Sequence, residues 1–128
     1  ADLTPLSGWN TSSVTNMYGM FSYCGNLTDL TALSGWNTSS VTNMYVMFSH
    51  CSSLTDLTPL SSWDTSKVTD MNYMFAYCNN LRDSSAINDW DILKVTNFKY
   101  MFFQSPSHPT FTKRAGTWDS YGTFTPTS

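Results

Sequence analysis

The sequence predicts an α/β repeat solenoid, and three observations carry that expectation. First, tryptophans recur at a fixed interval of 27 residues, at Trp9, Trp36, Trp63 and Trp90, and phenylalanines do the same at Phe21, Phe48, Phe75 and Phe102. Second, the unit Thr31–Leu57 matches Thr4–Leu30 at 22 of 27 positions and the unit starting at Thr58 at 14. Third, the apolar residues inside each unit fall three and four apart. A fixed period of this length marks an array in which no unit buries its inner face alone and the neighbours complete the core. Four units follow at 4–30, 31–57, 58–84 and 85–109, and residues 110–128 form a C-terminal cap and the start of a linker.

Each coil is expected to run turn, strand, helix, turn. The segment Thr58-Pro59-Leu60-Ser61-Ser62-Trp63 reads as a helical turn: Thr caps, and Pro at the first helical position gives up no hydrogen bond. The Asn or Asp after each Trp (Asn10, Asn37, Asp64, Asp91) suits a left-handed residue closing that turn. Val41-Thr42-Asn43-Met44 is short and β-branched, so a strand is expected there, stacking from unit to unit into a narrow parallel sheet. Met44, Met47, Phe48 and Cys51 then stand at i, i+3, i+4 and i+7, the stripe of a short helix. The fourth unit drifts, with Ile92, Phe98 and Ser105 replacing Thr, Met and Cys. Beyond Pro106 and Pro109, the aromatics Phe111, Trp118, Tyr121 and Phe124 surround Asp119-Ser120-Tyr121-Gly122. That stretch predicts a hairpin cap with Trp118 in the place of a fifth repeat Trp.

Composition narrows the function. Apolar residues make up 41% of the chain and aromatics 16%, enough for a packed core. Charged residues are only 12%; Glu is absent, and 37 Ser and Thr carry the surface. The net charge is −3 with no basic stripe, which argues against nucleic acid. No apolar run is long enough to span a membrane and no leader pattern opens the chain. Ala1-Asp2-Leu3 repeats the end of a unit (Thr28-Asp29-Leu30), so the chain reads as an excerpt of a longer array. Its uncapped N-terminal end is expected to expose core and to be covered, for example by self-association.

The pattern Trp-(Asn/Asp)-Thr-Ser-x-Val-Thr-(Asn/Asp)-Met, then Met-Phe-x-x-Cys-x-x-Leu, occurs at Trp9–Leu27, Trp36–Leu54 and Trp63–Leu81. It resembles the repeat of BspA-like bacterial surface proteins, a divergent leucine-rich-repeat type. The resemblance covers residues 1 to about 104, and Ala115-Gly116-Thr117-Trp118 to Pro126 is similar to sequences closing such arrays. It implies leucine-rich-repeat-like coils in an extracellular, cell-surface or cell-wall module for adhesion or protein interaction, without catalytic residues or cofactor.

The candidate ligand-binding residues are Tyr18, Tyr45, Tyr73 and Tyr100, with Tyr23 and Tyr77, placed on the helix but off its apolar stripe beside His50. Exposed aromatics on one face suit a host or matrix protein or a glycan; the plainer reading is padding between coils. Asp2, Asp29, Asp56 and Asp83 repeat at 27, so Asp29, Asp56 and Asp83 form a weak candidate calcium column. The reading favoured over it has each carboxylate accepting amides of the following turn. Cys24, Cys51 and Cys78 read as buried free thiols rather than a disulfide or a metal site. His50 and His108 stand alone, and the Ser and Thr columns flank caps and turns. Asn10, Asn26 and Asn37 open glycosylation sequons. The spacer reading, a stalk holding another domain off the wall, is the alternative function.

Overall fold

The computed structural model describes residues 2–127; Ala1 and Ser128, which the sequence reading placed at the end of a partial unit and in a linker, lie outside them. Positions 27 apart lie over one another. Single parallel bridges join Asn16 to Asn43, Asn43 to Asp70, and Asp70 to Asn97. The rings of Phe21, Phe48, Phe75 and Phe102 stack with centroids 5.5, 5.4 and 5.1 Å apart. Four turns of chain thus pile up along one axis.

The turn at the start of each coil is a short 3-10 segment: η1 (Thr4–Leu6), η2 (Thr31–Leu33), η3 (Thr58–Leu60) and η4 (Ser85–Ile87). Thr does not cap them, contrary to the sequence expectation. The cap positions are Leu3, Leu30, Leu57 and Ser84, without a side-chain cap bond. An Asp two residues upstream takes the amide instead, as in Thr58 N to Asp56 Oδ1 at 3.0 Å. The Asn and Asp after each Trp are not left-handed either. Their side chains accept the amide two residues on, as Asn37 does from Ser39 at 2.9 Å, which closes the turn through a side chain.

The expected helix over Met44–Cys51 is absent, and among the described residues no α-helix forms. Amides there alternate between two directions. Met47, Ser49 and Cys51 donate within the coil, to the carbonyls of Met44, Val46 and Phe48 at 3.2 Å. Val46, Phe48 and His50 donate to the next coil, to Asn72, Met74 and Ala76 at 2.8–2.9 Å. Two residues per coil, at the Gly19/Val46/Tyr73/Tyr100 and Tyr23/His50/Tyr77/Gln104 positions, take φ between 51° and 63°. Left-handed backbone every fourth residue is incompatible with a helix but keeps the same inward stripe. The segment is therefore a row of turns stitched to its neighbours. The parallel sheet is likewise reduced to single bridges, flanked by Thr42 N to Thr15 O and Thr69 N to Thr42 O, both 2.8 Å.

Inside the stack each column is apolar and dry: Val41, Met44, Met47, Phe48, Cys51, Leu54, Leu57 and Leu60 are all 0% exposed. Two columns of buried polar groups are bonded between coils, whereas Asn72 Oδ1 is buried without a partner among the described residues. The indoles of Trp36, Trp63 and Trp90 donate to the carbonyls of Leu6, Leu33 and Leu60 at 2.9–3.0 Å. Thr11, Thr38 and Thr65 donate to Asn37, Asp64 and Asp91 at 2.8–3.0 Å. Among the described residues the first coil has no cover over its tryptophan: Trp9 is 55% exposed, against 4% for Trp36.

The last coil has one. Strands β1 (Gly116–Trp118) and β2 (Phe124–Pro126) pair antiparallel around the expected turn. Gly122 O accepts from Phe102 N at 3.0 Å and Thr123 Oγ1 from Tyr100 N at 2.9 Å, replacing the carbonyls of a fifth coil. Gly122 (φ 69°) sits so close that a Cβ would lie 2.4 Å from Phe102 C. Arg114 Nη1 donates to Ile92 O and Val95 O at 2.9 and 2.8 Å. Trp118 meets Phe102 as Trp90 meets Phe75, but edge-on at 81° rather than tilted at 37°.

Candidate binding face

The turn rows that replace the expected helices present their outward side chains as two parallel rails. In the first, Tyr18 meets Tyr45 (centroids 4.9 Å, 80°), Tyr45 meets Tyr73 (6.3 Å), and Tyr73 meets Tyr100 (5.2 Å, 88°). These four do not share one repeat position. Tyr18 and Tyr45 precede the left-handed residue, whereas Tyr73 and Tyr100 are that residue. The rail crosses between positions where Asn72 replaces the third tyrosine. In the second rail Tyr23, His50 and Tyr77 stack face to face, at 4.1 Å and 11°, then 4.3 Å and 18°.

Between the rails runs a groove of about 480 Å³, with Gly19, Val46, Ser22 and Ser49 along it. In the fourth coil Phe103 takes the position of Ser22, Ser49 and Ala76. It touches Tyr77 at 5.3 Å, Tyr100 at 5.0 Å and Tyr121 at 6.4 Å, closing the groove at that end. Phe103 and Tyr121 are absent from the sequence-based set. Phe103 could have been found as the one aromatic in a Ser/Ser/Ala column; Tyr121 comes from the cap, outside the repeat register. Tyr18 is 58% and Tyr23 73% exposed, and the remaining rail tyrosines are half-buried. No tyrosine hydroxyl on the rails bonds to a protein atom among the described residues. His50 Nδ1 shares a 2.9 Å hydrogen bond with Ser49 Oγ, and Ser22 Oγ donates to Gly19 O at 3.0 Å. No Asp lines the groove.

The aspartates serve the turns on another part of each coil. Asp29 Oδ1 accepts from Thr31 N at 2.8 Å and from its hydroxyl at 2.5 Å. Asp83 does the same for Ser85 at 2.9 and 2.6 Å. The hydroxyl bond first, then the amide bond, holds both carboxyls below their ordinary value. Each carboxylate thus already has donors supplied by its own coil, and no cluster of three or more acidic, His or Cys groups forms among the described residues.

All three cysteines are free. Cys51 Sγ donates to Phe21 O at 3.1 Å and Cys78 Sγ to Phe48 O at 3.3 Å. Ser105 takes the same position in the fourth coil, donating to Phe75 O at 2.6 Å. Burial pushes the Cys51 thiol up to about 12 and raises Cys78 as well. Cys24, expected in the core with them, is only partly buried.

The described residues thus present a repeated aromatic face on a hydroxyl-rich stack of turns. The family model described as Mycoplasma protein of unknown function, DUF285, matches residues 1–121, and the chain belongs to that family. No curated protein and no solved structure matches it.

Proposed function

We propose that the stack is a leucine-rich-repeat-like solenoid of the BspA-like kind, serving as a non-enzymatic binding or adhesion module at the cell surface or in the cell wall. The observation that supports this most is the paired aromatic rails. Aromatic side chains with unpaired hydroxyls give large contact area at little entropic cost, which is what contact surfaces use. The first rail runs over four coils and the second over three, whereas a catalytic site needs different groups converging on one point. The partner is a host or matrix protein or a glycan.

The test is a screen of purified matrix proteins and glycan arrays with the wild-type chain and a Tyr45→Ser/Tyr73→Ser variant. A partner held by the wild type and lost by the folded variant supports the binding reading. If nothing on either array is held, the stalk reading takes its place, since a spacer needs only the stack.

A further inference from the structure

We infer that the groove between the rails takes an uncharged, proline-rich segment in the polyproline II conformation. This rests on the binding reading above and names the ligand class for the same face. The backbone, walls, length and charge of the groove point to it.

The backbone along the groove has nothing to offer a strand. The amides of Gly19 and Val46 are spent on Tyr45 O and Asn72 O, both at 2.9 Å. A ligand seeking ladder bonds by strand addition finds no free edge there. What the walls do offer is hydroxyl donors from tyrosines without protein acceptors. The matching ligand is rich in acceptors and poor in donors; proline has a carbonyl and no N–H, and a polyproline II backbone keeps its carbonyls free.

The ring faces of the second rail are covered by one another, at 4.1 and 4.3 Å. On the first rail edges and faces alternate at 80° and 88°. Sugar rings stack on open aromatic faces, and in the second rail only the outer face of Tyr23 remains open. A chain lying lengthwise between two walls of ring edges makes better use of the surface.

Length and shape agree too. Two coil steps advance about 9.6 Å at the spacing of neighbouring strands. One turn of polyproline II, three residues, advances about 9.3 Å. Its three-sided cross-section puts one edge into the groove and a face against each wall, in step with every second coil from Tyr18 to Tyr73. Phe103 ends the run. No carboxylate lines the groove, so the segment needs no charge.

The probes are fluorescein-labelled oligoprolines of three, six and nine residues, a six-residue Gly-Ser peptide and a cello-hexasaccharide, read by fluorescence anisotropy against the whole chain. Six prolines should bind at least ten-fold more tightly than the Gly-Ser peptide. Affinity should rise at least five-fold from three to six residues and level off by nine. Tyr45→Phe/Tyr73→Phe keeps the rings and removes two donors; it should weaken binding three- to ten-fold with an unchanged melting temperature. Tyr45→Ser/Tyr73→Ser should abolish it. Oligoproline no tighter than Gly-Ser overturns the inference, as does cello-hexasaccharide binding with oligoproline silent. In either case the binding module still stands if the array screen yields a Tyr-dependent partner; silence in that screen removes the binding reading itself.

Discussion

Trp63 shows how one side chain joins two coils: its ring fills the core beside Phe48, while its indole N–H reaches back to Leu33 O at 2.9 Å. Trp63→Phe keeps most of the apolar contact and removes one of the two donors to Leu33 O, the other being Trp36 N at 3.1 Å. It should cost about 0.5–1.5 kcal/mol, read as a shift in urea midpoint. The thiols make a second test. Cys51 is neutral in the folded chain up to about 12, against 9.0 for a free thiol. Its contribution is therefore complete below pH 9 and drains away as pH climbs from 9 toward 12. Denaturation midpoints at pH 8 and 10.5 should diverge, and Cys51→Ala should shrink that difference to the share left by Cys78, whose thiol burial also raises. Thiol reagents should reach Cys24 in the native chain and the other two only after unfolding. The inward columns were legible at this scale because burial and 27-residue spacing both follow from one repeated contact. The register of the tyrosines was not, since Asn72 moves the third ring by one residue.

At the level of the element, the apolar stripe was read correctly and its backbone was not. A spacing of three and four is shared by a helix and by successive turns that each advance about three residues; only φ distinguishes them. His50, Tyr73 and Tyr77 adopt left-handed backbone without being glycine, at a cost of about 1 kcal/mol each, offset by the cross-coil bonds made by their amides. No local signal announces residues held against their own preference. The hairpin was legible through its turn residues, and Gly122 is its most exacting position. Gly122→Ala would drive a Cβ into the Phe102 backbone, so the cap must lift away. The variant should lose more than about 2 kcal/mol, with Tyr100 and Phe102 amides losing protection in hydrogen exchange.

For the whole molecule, the polarity of the cross-coil bonds sets what can complete the open end. In the turn rows each coil donates toward the C-terminal side, so the first coil turns the carbonyls of Asn16, Tyr18, Met20 and Ser22 outward. Two such ends facing each other bring acceptors to acceptors. We therefore propose that self-association here is weak, draws on Trp9 beside the partly buried Leu6 and Val14, and is reduced in Trp9→Ser by sedimentation equilibrium. A second copy of residues 4–30 fused ahead of the chain presents the required amides and should raise the melting temperature by several degrees, as nearest-neighbour stacking predicts. The aspartates add an acid limit: their depressed values at Asp29 and Asp83 mean that turn closure is lost as pH falls through and below the ordinary carboxylate range, near 3.8.

Those same cross-coil bonds lie along the axis that joins the two ends of the stack. A load pulling the termini apart meets them in sequence, one coil's set after another, instead of all at once in shear. In an optical trap the chain should yield at low force in a sawtooth. Each release of 27 residues should add roughly 90 Å of contour, so that a tethered array would lengthen in increments under drag where a rigid stalk would snap free.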